Sequence, residues 1–378
     1  MPRGVEPRTA VVTGATGQDG YYLVRRLLAD GWSVHAAVRD LDGAEAALGR
    51  HERLRVVRRD LRDPGPLGAL VGDVRPAELY NLAGESSVGA SFADPRATWE
   101  SNAHVVSYLL DTIRHDSPAT RFYQASSGEM FGSIPGGGVV HDELAALNPQ
   151  SPYAAAKAAA HMLCRSYRES YGIRIACGIL FNHESHRRGA QFLSRKVVDH
   201  VAALAADPTG PPLALGNLKA RRDWGFAPDY VEGMMMILRQ ASIRGVPDEA
   251  SSYRDYVLGT GSLHEVWELA DRAFALAGYR LVWELDGEDP LAWSARFAES
   301  GATAVVVDPA FIRPADPHAI AADPARIAAD LGWEPRPGLD RFLSDMLDPP
   351  VSDEEETASV PVSDPAPLET AHQGAHQG

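Results

Sequence analysis

Thr9-Ala-Val-Val-Thr-Gly-Ala-Thr-Gly-Gln-Asp-Gly20 is followed by an apolar helical run that continues to Asp30. Thr9 to Val12 read as a buried strand, a short apolar run bounded by turn residues. Gly14, Gly17 and Gly20 then fall at the turn and at the start of a helix. A Cβ there would hold the backbone away from a pyrophosphate, and the helix N-terminus offers its free N–H groups and dipole to the phosphates. This G-x-x-G-x-x-G spacing between strand and helix predicts a dinucleotide-binding unit, with Gln18 and Asp19 beside the cofactor.

Strand and helix patterns alternate from residue 9 to about 180, as expected of an α/β doubly wound parallel sheet of the Rossmann kind. The further strands read as Ser33 to Val38, Leu54 to Arg58, Glu78 to Leu82, Arg121 to Ala125 and Arg174 to Ile179. Arg39 ends the second strand, where an acidic residue would grip an adenosine ribose and an arginine suits the 2′-phosphate of NADP. Asp40 and Asp42 follow at once, so NAD stays open as the alternative to NADP. Asp60-Leu61 after the third strand fits the adenine edge, and Leu82-Ala83 after the fourth fits the nicotinamide side.

Tyr153 and Lys157 stand four residues apart in Ser-Pro-Tyr-Ala-Ala-Ala-Lys, and Ser127 and Glu129 lie upstream in Ala-Ser-Ser-Gly-Glu-Met-Phe-Gly. Residues i and i+4 share a helix face, so the Lys157 ammonium is expected beside the Tyr153 phenol, lowering its pKa. A tyrosinate can take a proton from a sugar hydroxyl while hydride leaves the same carbon. Glu129 adds a second base that simple alcohol oxidation does not need.

The chain has 378 residues, 45% of them hydrophobic, enough for one large or two fused domains. No apolar run reaches the ~18 residues of a membrane span, and the first thirty residues form the cofactor unit instead of a signal peptide, so a cytoplasmic protein is expected. A formal net charge of −15 argues against nucleic acid as a partner. Cys164 and Cys177 lack metal-ligand spacing and read as small buried thiols, so no metal is expected. From Val351 onward the chain carries six acidic residues, no Lys or Arg, and many Pro, Ser and Thr. That composition predicts a disordered tail, in which His372 and His376 are not expected to bind metal.

Beyond residue 182 the alternation becomes irregular, and basic residues gather in Asn182-His-Glu-Ser-His-Arg-Arg-Gly, Arg221-Arg-Asp-Trp-Gly and Asp308-Pro-Ala-Phe-Ile-Arg-Pro. In an acidic protein this suggests a pocket for the diphosphate of a nucleotide-linked substrate. The expected organisation is a dinucleotide-binding domain over 8–181 with the catalytic residues, a mainly substrate-binding region over 182–347, and the acidic tail over 348–378.

Together these residues resemble the GDP-mannose 4,6-dehydratase family of extended short-chain dehydrogenases/reductases, from about residue 8 to 347. Thr-Gly-Ala-Thr-Gly-Gln-Asp-Gly, Leu-Tyr-Asn-Leu-Ala, Arg-Phe-Tyr-Gln-Ala-Ser-Ser-Gly-Glu-Met-Phe-Gly and Gly-Ile-Leu-Phe-Asn-His-Glu-Ser carry the resemblance, with Arg-Asp-Trp-Gly, Phe-Ile-Arg-Pro and Leu-Gly-Trp-Glu-Pro. It implies that Ser127 hydrogen-bonds the C4 oxygen of a hexose, Tyr153 deprotonates the C4 hydroxyl and NADP⁺ takes the C4 hydride. Glu129 would then remove the C5 proton, water would leave from C6, and the same cofactor would return hydride there. Asn182, Lys196, Arg222 and Arg313 resemble residues that hold the GDP part, with Ser86 and Asp316 also on the substrate side. Arg188 resembles a residue that touches the cofactor phosphate. GDP-mannose is the implied substrate.

The chain also departs from the family pattern. Arg39 is followed by Asp40 where two adjacent basic residues are usual, and the stretch to Arg53 is short, so a homodimer is expected ahead of a tetramer. Glu85 and Ser87 replace a neutral side chain and a histidine near the expected sugar site. Another NDP-hexose, or a 4-epimerase on the same scaffold, stays open as a rival, although an epimerase needs no base at C5. A non-catalytic NADP-binding protein is a remoter alternative.

Overall fold

β1 (Thr9–Thr13) is buried over Ala10 to Thr13, and its side chains alternate between two cores. Ala10 and Val12 face one apolar cluster, while Val11 faces the other. A strand covered on both faces belongs in the middle of a parallel sheet. The computed structural model describes residues 8–133, 138–312, 319–336 and 338–350. In it β1 lies between β2 (Ser33–Val38) and β4 (Glu78–Asn81). β3 (Leu54–Arg58) flanks β2, and β5 (Arg121–Ser127) flanks β4. Strands Ile175–Leu180 and Tyr256–Leu258 complete the sheet, giving seven strands, all parallel. Strand order reverses between β1 and β4, and ligands bind in the crevice outside the carboxyl ends at such a point.

The expected strands are all present, with small shifts. β5 runs two residues further than expected and carries Ser127 as its last residue. The chain also returns to the large sheet after residue 181. Helix Ala227–Leu238 packs on α1 (Gln18–Ala29), and strand Tyr256–Leu258 extends the sheet edge. The region after 182 is therefore interleaved with the first.

The remaining strands build two smaller sheets. Arg221–Phe226 pairs with Leu263–Glu265, Ala319–Ala322 and Asn182–Glu184. The second comprises Leu281–Glu284, Ser294–Phe297, Thr303–Val307 and Leu213–Leu215. A separate core containing Trp224, Phe226, Phe274 and Phe342 lies beneath them. Asp223 ties the layers together: its buried carboxylate accepts from Thr260 N, Thr260 Oγ1, Gly261 N and Ala322 N. Among the described residues no helix is long and apolar enough to cross a membrane. Both cysteines are buried and free. Arg313, Asp316 and the acidic tail from 351 lie outside the described residues.

Candidate active site

Ser127 ends β5, and Glu129 sits in the single tight turn Gly128–Met130 that follows, with Glu129 N donating to Ser127 Oγ at 3.3 Å. Facing them is helix Pro152–Tyr171. Ser151 caps it by accepting from Ala154 N at 3.1 Å, and Pro152 takes the first turn, where its missing N–H costs nothing. This start sets Tyr153 and Lys157 on the face that meets β5. Ser127, Glu129, Tyr153 and Lys157 all line one cavity of about 570 Å³.

The electrostatics differ from the expectation. Burial pushes the Tyr153 phenol up to about 12, against the downward pull of its hydrogen bond with Ser127. Burial also brings Lys157 down to about 8. In the protein alone, desolvation outweighs any help from the ammonium. Lys157 Nζ donates to Ala125 O at 3.0 Å and lies 5.8 Å from the centre of the phenol ring.

The glycine turn is forced by contact. A Cβ on Gly20 would lie 2.1 Å from Gly14 O, so no side chain fits where α1 crosses the turn. Gly14 has φ +68°, and a Cβ there would meet the Ala83 backbone at 2.9 Å. Ala83 N donates to Thr13 Oγ1 at 3.1 Å, and Thr13 Oγ1 donates to Asn81 Oδ1 at 2.7 Å. These bonds hold the ends of β1 and β4 in register around the crevice. Leu82 lines the cavity, while Leu61 is buried behind the β3 end. Asp60 is held by the Arg62 fork, which lowers its carboxyl to about 2. Arg39 is exposed at the end of β2. Asp40, which blurred the cofactor reading, caps helix Leu41–Leu48 by accepting from Asp42 N and Gly43 N.

Gln18 and Asp19 carry a connection that sequence reasoning missed. Asp19 lines the cavity, yet both its oxygens lie 3.0 Å from His183 Nε2. Gln18 Nε2 donates to His183 O at 2.9 Å, and Ser185 Oγ donates to Gln18 Oε1 at 3.1 Å. The His183 ring stacks on Tyr230 with centroids 4.4 Å apart. Burial opposes both charges, but each partner sustains the other: Asp19 ends below its ordinary pKa and His183 above. The Asn-His-Glu-Ser string was the available signal, without any hint of its partner 164 residues away.

Asn182, Lys196, Arg222, Arg188 and Ser86 all line the same cavity. Lys196 Nζ lies 3.2 Å from the ring centre of Phe311, a lining residue the sequence had not singled out. Arg188 Nε is 2.9 Å from Glu184 Oε2. Other members of the basic stretches lie elsewhere: Arg187 stacks on Tyr21, and Arg221 is not among the residues lining the cavity. Glu85 does not line the cavity; its Oε1 accepts from Ser87 N at 2.7 Å, while Ser87 caps helix Val88–Ala93. The charge expected near the sugar is thus turned into a local loop bond. Among the described residues no cluster could hold a metal ion.

The family model for GDP-mannose 4,6 dehydratase matches residues 11–346. The chain belongs to the GDP-mannose 4,6-dehydratase family. It is 36% identical to GDP-mannose 4,6 dehydratase 2 of Caenorhabditis elegans, over 90% of this chain and 88% of that protein. It is 37% identical to GDP-mannose 4,6 dehydratase 2 of Arabidopsis thaliana, over 91% and 87% of the two chains. The solved UDP-glucose 4-epimerase of Thermus thermophilus, in complex with NAD, superposes with a TM-score of 0.71 at 24% identity. That match covers 90% of this chain and 99% of the epimerase, and it supports the fold alone. As a family member the chain is a nucleotide-sugar 4,6-dehydratase, a hydro-lyase built on a nicotinamide-dinucleotide scaffold.

Proposed function

We propose that this dehydratase converts GDP-mannose to GDP-4-keto-6-deoxy-mannose with NADP, and that Ser127, Glu129, Tyr153 and Lys157 carry the chemistry. The observation that supports it is their convergence on one cavity that Asn182, Lys196 and Arg222 also line. Tyr153 takes the C4 hydroxyl proton, and Ser127 holds the C4 oxygen. A nicotinamide dinucleotide held at the Gly14–Gly20 turn would supply the hydride chemistry, taking hydride from C4 and giving it back at C6. Glu129 removes the C5 proton made acidic by the C4 ketone; of the two protons then held by Tyr153 and Glu129, one leaves with the C6 hydroxide as water and the other is returned to C5 as hydride reaches C6. A phenol at about 12 needs the positive charge of Lys157 and of an oxidised nicotinamide to release its proton near neutral pH.

Lys196 and Arg222 are the proposed diphosphate contacts, with Phe311 offering a flat apolar surface to the base. Arg39 supports NADP, because Asp40 is committed to capping a helix and does not compete for the ribose. Residues 182–347 supply most of the substrate side. A homodimer is the proposed assembly: Trp99, Tyr108, Met162 and Tyr171 leave apolar surface exposed on helices that pack together.

The test is mass spectrometry of products from a panel of nucleotide sugars, with NADPH and NADH titrations beside it. A GDP-mannose product one water lighter supports the reading. An isobaric product would make the protein an epimerase instead, and tighter NADH than NADPH binding would remove the Arg39 assignment.

A further inference from the structure

β5 is paired unequally along its length. On one side β4 accompanies it only from Arg121 to Gln124, because β4 ends at Asn81. On the other side strand Ile175–Leu180 stays with it through Ser127. Ala125, Ser126 and Ser127 therefore project past their β4 neighbour, and a strand end paired on one side is free to shift.

Helix Pro152–Tyr171 covers that gap with residues that succeed one another every four positions along a face. Tyr153 lies beside Ser127, whose hydroxyl pulls the phenol's pKa down, and both line the cavity. Lys157 Nζ reaches Ala125 O at 3.0 Å. The next residue in the series, His161, brings Nδ1 to 3.0 Å from Ser126 Oγ. His161 is buried at 8% exposure, and Ser126 at 3%. The imidazole also lies beside the Cys177 thiol, which helps to raise its pKa. Cys177 N in turn donates to Asp255 Oδ1 at 2.8 Å, and the Arg168 fork grips both oxygens of Asp255 at 2.7 and 2.8 Å.

We infer that His161 is a positioning residue for the dehydration reaction: it holds Ser126, and through it the height of Ser127 and the Glu129 turn, where β4 no longer does. The inference rests on the catalytic reading of Ser127 and Glu129. Displacing reacting groups by about an ångström costs on the order of 100-fold in rate, so a loosened β5 end should act on turnover and not on binding.

The experiment uses the full chain and four variants: His161→Phe, His161→Asn, Ser126→Ala and the His161→Phe/Ser126→Ala double. His161→Phe keeps ring volume without the hydrogen bond and should lower kcat by about 10- to 100-fold. Its KM and its cofactor Kd, read by fluorescence titration, should stay within about twofold of the parent. His161→Asn, whose amide can take the place of Nδ1, should restore most of kcat. Ser126→Ala should reproduce the loss, and the double variant should cost no more than either single change. Full kcat in a folded His161→Phe, equal loss in the Asn variant, or additive losses would overturn the inference. If His161→Phe does not fold, His161→Asn and Ser126→Ala decide alone: high kcat in the first with a low kcat in the second supports it, and any other pairing refutes it. A parent enzyme that dehydrates no nucleotide sugar would instead sink the functional reading itself.

Discussion

The dinucleotide end and the substrate end of the cleft are built on different principles. At the dinucleotide end one local unit does most of the work: Gly14, Gly17 and Gly20 shape a turn between β1 and α1 within twelve residues. At the proposed substrate end the lining comes from Ser86, Asn182, Lys196, Arg222 and Phe311, scattered over more than half the chain. The difference is one of what the ligand demands. A pyrophosphate needs backbone N–H groups and close approach, which a short glycine turn supplies by itself. A nucleotide-linked hexose needs side chains of several chemistries pointing inward from different elements. The two ends are nevertheless joined, because Asp19 in the glycine unit pairs with His183 beside Asn182.

Glu129→Gln is the largest expected effect and the sharpest separator of the two ends. Loss of a positioned base should lower kcat by about 10²- to 10⁴-fold. Cofactor affinity, measured by fluorescence titration, should stay unchanged, as should oxidation at C4 seen as reduced nicotinamide in a single turnover. A parallel loss of cofactor binding would mean Glu129 belongs to the dinucleotide end.

Asp19→Asn attacks the joint between the ends. It leaves a buried imidazole without its counter-charge, and unfolding should show a loss of about 2 kcal/mol. Sugar-nucleotide and cofactor affinities should fall together. The pH dependence has a definite sign. Asp19 is depressed below 3.8, so its share of stability is present above that value and lost as pH falls through its folded pKa. His183 is raised above 6.5, so its share is full below that value and lost as pH rises through its folded pKa. Thermal melts of the parent should therefore be highest between those limits, and Asp19→Asn should flatten both flanks. Equal pH profiles would show that the pair contributes nothing.

Arg222→Lys is the mildest change and tests the substrate end alone. The charge is kept while the planar fork is lost, and KM should rise about tenfold, some 1.4 kcal/mol, with kcat and cofactor Kd unchanged. Steady-state kinetics with GDP-mannose check it; a fall in kcat at constant KM would move Arg222 into the chemistry.

Legibility followed the same divide. β1, the glycine turn and the alternation of strands with helices could be read because period and turn residues are properties of neighbouring positions. Tyr153 and Lys157 could be paired because four residues on a helix is a fixed geometry. Arg187 looked equivalent to Arg188 in the sequence, yet its guanidinium stacks on Tyr21 instead. Glu85 stood among sugar-site residues by position, and a two-residue loop bond to Ser87 N turned it aside.

What the chain specified by local order alone was the doubly wound scaffold, the family, and Ser127, Glu129, Tyr153 and Lys157 as the groups proposed for acid–base work. Only the folded molecule decided that burial lifts Tyr153 to about 12 and drops Lys157 to about 8. Only there did Asp19 meet His183 and His161 meet Ser126. Proton affinity depends on how much water a group loses and which distant charges approach it, and both are set by packing between segments that sequence spacing does not connect.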